Sequence, residues 1–139
     1  MRIQVQKTIM IWEPYEGLRE SFRLILEKEY RLLFANTLEE ISDYCNQQID
    51  LLILNADDSS ETLKAVAAVK EKYPDLKILL ITTNLQLEFQ VNAIRLGTDI
   101  GFHEKPWDAD ELKDQIDTMI RGYALERHTH IVRIKLSQE

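Results

Sequence analysis

Short strand-forming runs alternate with longer amphipathic stretches along most of this sequence, and no other feature narrows the possible folds as much. Residues 8–12 form an Ile-rich run that stops at Glu13-Pro14, as a buried strand would. Leu18, Phe22, Ile25 and Leu26 follow at i, i+4, i+7 and i+8, which is one face of a helix. Residues 30–35 return to strand character. Thr37-Leu-Glu-Glu40 then matches a capping box, predicting a second helix with Leu38, Ile41, Tyr44 and Cys45 turned inward. Leu51-Leu-Ile-Leu54 is the most apolar strand, and after Asn55-Ala-Asp-Asp-Ser-Ser60 a third helix carries Leu63, Val66, Ala67 and Val69 before Tyr73-Pro74 stops it. Residues 77–82 give a fourth strand. Residues 87–96 give a fourth helix closed by Gly97 as a C-cap, and residues 100–104 a weaker fifth strand. Asp108-Ala-Asp-Glu111 is another capping box, opening a helix with Leu112, Ile116, Met119, Ile120 and Tyr123 on its inner face.

Five strands and five helices joined in turn by short loops predict an α/β fold whose parallel sheet is covered on both faces. In such folds the functional crevice lies outside the carboxyl ends of the strands. Glu13, Asn55, Thr82, Lys105 and their neighbours are therefore the candidate site residues. A chain of 139 residues, at roughly 100–200 residues per domain, holds one domain. We place it at residues 1–122, with residues 123–139 as a linker helix or arm. Ile120, Ala124, Arg127, Ile131 and Ile134 recur at steps of four and three, a seam that would extend the last helix. Val132, Ile134 and Leu136 alternating with Arg133 and Lys135 admit a strand instead. The helix is the expected form, because no Gly or Pro beyond Gly122 interrupts it.

Composition removes several classes of function. With 17 Lys+Arg against 24 Asp+Glu the formal charge is −7, which disfavours the clustered basic surface that nucleic-acid phosphates require. The single Cys45 precludes an internal disulfide or a multi-cysteine metal cage and fits a reducing compartment. The longest apolar runs, such as Ile78 to Ile81, fall far short of the ~20 residues that span a bilayer. The first residues lack the apolar core of a signal peptide, so a cytoplasmic location is expected.

The strand-end residues, taken in order, carry a family likeness. Ile9-Met-Ile-Trp-Glu13, Asp50-Leu-Leu-Ile-Leu-Asn55, Ile81-Thr82 and Lys105-Pro106-Trp107 followed by an amphipathic helix resemble the receiver domains of two-component response regulators, over about residues 7–122. The resemblance implies a flavodoxin-like, doubly wound five-stranded sheet of (βα)5 connectivity and strand order 2-1-3-4-5. It also implies an acid pair after the first strand that holds Mg²⁺, and a nucleophilic Asp after the third strand that takes a phosphoryl group. A hydroxyl after the fourth strand and a Lys after the fifth, joined to proline by a cis peptide, complete the pattern. Here Glu13 falls on the first acid and Pro14 on the second, while Asn55 falls on the phosphoacceptor. A neutral amide is no nucleophile toward phosphorus, and one carboxylate where the family brings three leaves a weak or lost Mg²⁺ site. Thr82 and Lys105 keep the family's hydroxyl and lysine, and Phe102 aligns with its switch aromatic. The resemblance is thus to a degenerate receiver, a pseudo-receiver, in which Lys105 is expected to reach Glu13 and the side-chain oxygen of Asn55 as a constitutive lock.

Plainer readings accompany each of these residues. Thr82 also suits a β-branched strand end, Phe102 plain core, Glu13 a solvated loop and Cys45 a small core hydrophobe. His103, His128 and His130 show no ligand-grade clustering. Asp57 and Asp58 read as a solvated loop, and are also the only credible surrogate phosphoacceptors or weak divalent-ion ligands. Three functions follow. One is a non-enzymatic signalling module without phosphate, acting on protein partners such as an output domain, a kinase or another regulator. It would use the face of the fourth helix, fifth strand and fifth helix, with homodimer contacts there or through the tail. Another is an active receiver phosphorylated on Asp57 or Asp58. The last is a small-ligand binder, disfavoured because no Gly-rich loop follows the first strand. No membrane contact or cofactor is expected for the first.

Overall fold

Every strand pairs in parallel with its neighbours, in the order β2-β1-β3-β4-β5. A computed structural model of the chain describes residues 6–45 and 48–122. The strands are β1 (Thr8–Trp12), β2 (Arg31–Phe34), β3 (Leu51–Asn55), β4 (Ile78–Thr82) and β5 (Ile100–Glu104). Between and after them run α1 (Glu16–Leu26), α2 (Ile41–Tyr44), α3 (Ser59–Lys72), α4 (Leu87–Ile94) and α5 (Ala109–Arg121). This is the flavodoxin-like doubly wound sheet. Among the described residues no helix is long and apolar enough to cross a membrane.

Alternation along the central strands divides the core in two. Leu51 and Ile53 of β3, Ile9 and Ile11 of β1, and Leu79 and Ile81 of β4 bury one face against Phe22 and Leu26 of α1 and Leu112, Ile116 and Ile120 of α5. Leu52 and Leu54, Met10, Ile78 and Leu80 bury the other against Ile41, Val66, Val69, Phe89 and Ala93 of α2, α3 and α4. Strands apolar on both faces have no solvated side, which is why their sequences read as unbroken runs. Full burial of each such Leu or Ile contributes about 1.5–3 kcal/mol.

Several expectations need correction. The Thr37 hydroxyl accepts the Glu40 amide at 3.3 Å as a capping box requires. Glu40 makes no reciprocal bond, however, and the helix begins only at Ile41. In α3, Ala67 faces solvent, whereas Thr62 and Lys70 are buried. Gly97 is not a left-handed cap: α4 is capped by Arg95, and the positive φ lies at Asp99, 58°. A Cβ at 97 would lie 2.9 Å from Cδ of Lys70, so a larger residue there requires the lysine stem to shift. The Lys70 ammonium closes over the loop carbonyls of Pro74 and Leu76 at 3.1 and 2.6 Å, and burial pulls its pKa down. At α5 the Asp108 carboxylate does cap the Asp110 and Glu111 amides. That helix closes at Gly122 with φ 69°. The tail beyond it, with the helix-or-strand alternative and His128/His130, lies outside the described residues.

Candidate functional site

Four loops meet at the carboxyl edge of the sheet, because parallel strands all end on the same side. Glu13 leaves β1, Asn55 ends β3, Thr82 ends β4 and Lys105 follows β5. The adjacency of β1, β3, β4 and β5 sets these four positions in a row.

At the β1–β3 end, Glu13 is only 2% exposed, and both its carboxylate oxygens accept the Asn55 side-chain amide at 3.1 Å. Oε2 also accepts the Tyr15 backbone amide at 3.1 Å. A carboxylate offers acceptors only, so the Asn55 nitrogen must face it and the amide oxygen must face away. That oxygen accepts the backbone N–H of Asp57 at 2.9 Å. Asn55 thereby satisfies a buried charge on one side and fixes the loop after β3 on the other.

The fixed loop aims Asp57 across the sheet toward β4 and β5. Its Oδ1 accepts the Thr82 hydroxyl at 3.1 Å, the Thr83 amide at 2.9 Å and the Thr83 hydroxyl at 3.2 Å. Its Oδ2 accepts Lys105 Nζ at 2.8 Å, with the lysine side chain 8% exposed and the aspartate 33%. The expected lock of Lys105 onto Glu13 and Asn55 is therefore wrong in its partner. Asp57 reaches over first, and Asn55 spends its amide on Glu13. Asp57 is an exposed loop residue, as expected, but its carboxylate is held by these four donors. Asp58 is not brought into the site; it caps α3 by accepting the Glu61 amide at 3.1 Å.

Thr82 is buried at the end of β4 and its oxygen also accepts the Asn84 amide at 3.2 Å, so it shapes the loop as well as meeting Asp57. Pro14 is exposed and offers no side-chain donor or acceptor. Phe102 lies outside the cluster, half-buried, with its ring edge-on to Phe89 at 6.1 Å and 77°. The peptide between Lys105 and Pro106 is cis. Sequence reading missed Thr83, whose proximity to Thr82 was the available signal, and Tyr15, which contributes only backbone and left none.

Burial alone would raise the Asp57 carboxyl, but hydrogen bonds from Lys105, the Thr83 amide and Thr82, together with the lysine charge, hold it down at about 2. A pKa below the unfolded value of 3.8 gives stability that is present above that pH and lost as pH falls toward 2. We expect the Asp57 carboxyl carbon, followed by NMR, to titrate near pH 2 and to return toward 3.8 in Lys105→Met. A midpoint unchanged by that substitution would remove the lysine as its cause.

A hard divalent cation does not fit this donor set. Glu13 already accepts from Asn55 and Tyr15, Asn55 is neutral, and Asp57 is already neutralised by Lys105. Among the described residues, no three His, Cys, Asp or Glu side chains are grouped as a metal would need.

No protein-family model and no curated protein matches the sequence. Solved structures do match in shape. One is the signal receiver domain of an HD domain-containing protein from Pseudomonas fluorescens Pf-5, with TM-score 0.75 and 21% identity over 92% of this chain and 96% of that one. Another is a CheY-like response regulator receiver domain protein from Methanospirillum hungatei JF-1, with TM-score 0.75 and 22% identity over 88% and 99%. The fold is that of receiver domains. NtrX from Brucella abortus also contains it, with TM-score 0.70 and 22% identity, matching 93% of this chain but 29% of its own length. In that protein the receiver fold is one part of a longer chain.

Proposed function

We propose that this chain is a regulatory module of two-component type which takes no phosphoryl group at Asn55 and acts through protein contacts. The observation that supports this most directly is the buried Asn55 amide donating to both oxygens of Glu13. A receiver of the usual kind would set a nucleophilic carboxylate and a cation there. In this chain the same place holds a neutral group whose nitrogen is engaged. No catalytic role and no resident Mg²⁺ belong to this reading, and a cytoplasmic setting accords with it.

The contact surface in this reading is α4 with β5 and α5. Leu87, Val91 and Ile94 stand at i, i+4 and i+7 on α4, and Leu87 and Ile94 are 74% and 57% exposed. An outward apolar stripe on a helix suits an output domain, a kinase, another regulator or a second copy of the chain. The β4–α4 loop that receives Asp57 leads directly into this helix.

A second reading is favoured by two contacts. Asp57 lies against both Lys105 and Thr82, the groups that face the phosphoryl group in the family resemblance. Incubation with acetyl phosphate and Mg²⁺ distinguishes the two. We expect the intact mass to stay unchanged. A stable gain of one phosphoryl group that disappears in Asp57→Asn would establish the second reading and overturn the first.

A further inference from the structure

Helix α2 is a single turn, Ile41–Tyr44, whereas its neighbour α3 runs for 14 residues from Ser59 to Lys72. So short a helix leaves Ala65 half-buried and Ala68 exposed on α3, and a groove of about 300 Å³ opens between the two helices. Its floor is apolar, with Leu38 and Ile41 from the α2 turn on one side and Ala65, Ala68 and Val69 on the other. A second hollow of about 340 Å³ shares Leu38, Glu39 and Glu61 with the first and carries the groove on to Pro14 at the carboxyl edge of the sheet. The rim is acidic. Glu39, Asp58 and Glu61 border the two hollows against one base, Lys64, which Glu61 already meets at 3.3 Å. An apolar floor beneath an acidic rim fits a segment that combines aliphatic side chains with Lys or Arg.

The chain itself contains such a segment. Residues 130–136 read His-Ile-Val-Arg-Ile-Lys-Leu, four aliphatic residues and two cations, and no Asp or Glu occurs between Arg127 and Gln138. Its point of departure is close enough. Helix α5 runs back from the carboxyl edge, so Gly122 lies at the amino edge, where Arg121 donates to Tyr30 just ahead of β2 at 3.2 Å. The lower end of the groove, at Val69, is one turn from the close of α3 at that same edge. Helices 10–12 Å across on either side of a sheet stand about 20 Å apart. Residues 123–129 reach up to about 23–25 Å, which brings residues 130–136 to the groove. We infer that the α2–α3 groove is a docking site for the chain's own residues 130–136, with their aliphatic side chains on the floor and Arg133 and Lys135 at the acidic rim. A tethered segment acts at a high effective concentration, so a shallow groove suffices to hold it. Helix α3 stands between this groove and α4. The inference therefore concerns a different surface from the one proposed above, and it does not depend on whether Asp57 takes a phosphoryl group.

The test is paramagnetic broadening in the full chain, with a nitroxide attached at Ser137→Cys. Cys45 is buried, with its thiol pushed up to about 11, so the label goes to position 137. The amides of Ile41, Glu61, Ala65 and Ala68 should lose at least about half their intensity relative to the reduced label, as a segment seated in most molecules requires. Those of Leu87 and Val91 on α4 should keep theirs. Ala65→Glu combined with Ala68→Glu, which fills the floor with charge, should restore the α3 signals. Arg133→Glu combined with Lys135→Glu should restore them too, and it leaves the folded core untouched if the first pair disturbs α3. Full intensity at α2 and α3 in the parent, or broadening there that survives the Arg133 and Lys135 substitutions, would overturn the inference. Broadening centred on α4 and α5 would do the same. A mixture of labelled chains with isotope-enriched unlabelled chains should show no broadening; an effect as large as in the singly labelled sample would make a second copy the occupant and defeat the proposal.

Discussion

Asn55→Asp is expected to lower stability by about 2–4 kcal/mol at neutral pH when no divalent cation is present. The substitution is nearly isosteric, so packing is preserved and the cost is electrostatic. Both oxygens of Glu13 lose the Asn55 donor, leaving only the Tyr15 amide on Oε2, and a second carboxylate arrives about 3 Å from a group that is 2% exposed. The two acids then hold a proton between them, with the pair's upper pKa raised above the unfolded value. A raised carboxyl pKa costs stability as pH rises past the unfolded value, so the deficit should be small near pH 4 and full at pH 7. Added Mg²⁺ should return part of the loss, because the variant brings the second carboxylate that the natural pocket lacks. Urea denaturation across this pH range, with and without Mg²⁺, measures both effects. A variant as stable as the parent at pH 7 without cation would mean that the Glu13–Asn55 contact does not hold the site.

Asp117→Ala should cost about 2–3 kcal/mol and lower the melting temperature by roughly 6–15 °C. Asp117 is buried on α5, where it accepts the Tyr30 hydroxyl and Lys113 Nζ, the latter at 2.9 Å. Tyr30 is 1% exposed, and its hydroxyl in turn accepts Arg121 Nε at 3.2 Å. Burial, with help from Asp117, pushes the Tyr30 phenol up to about 12. Removing the carboxylate strands a buried hydroxyl and weakens the junction of the α1–β2 turn with the last turns of α5. Tyr30→Phe should cost about half as much, since Asp117 keeps its lysine. Thermal unfolding followed by circular dichroism compares the two. Equal losses would assign the whole effect to the tyrosine hydroxyl.

The fold was legible because burial on both faces of a parallel strand writes itself directly into sequence. The apolar run of β3 and the positions of Glu13, Asn55, Thr82 and Lys105 followed from strand ends alone. The pairing among those ends did not. Lys105 and Asp57 are 48 residues apart, and Glu13 and Asn55 are 42 apart. Which of the four meet depends on how far the loop after β3 throws Asp57. Nothing in the local pattern separates a carboxylate that reaches across the sheet from one that caps a helix, as its neighbour Asp58 does. The buried polar positions of α3 escaped notice for a related reason. Helical periodicity ranks positions by apolarity, so it chose Ala67 over Thr62 and Lys70, whose polar atoms are satisfied locally by the Asp58, Pro74 and Leu76 carbonyls.

Lys70 and Gly97 illustrate a constraint that neither position reveals alone. The lysine stem occupies the volume a methyl group at 97 would need, and its tip is pinned to two carbonyls. Freedom to vary at these sites is therefore joint: bulk added at 97 has to be met by movement or loss of the lysine stem. A redesign that places a side chain at 97 must give the lysine on α3 another path or a shorter replacement.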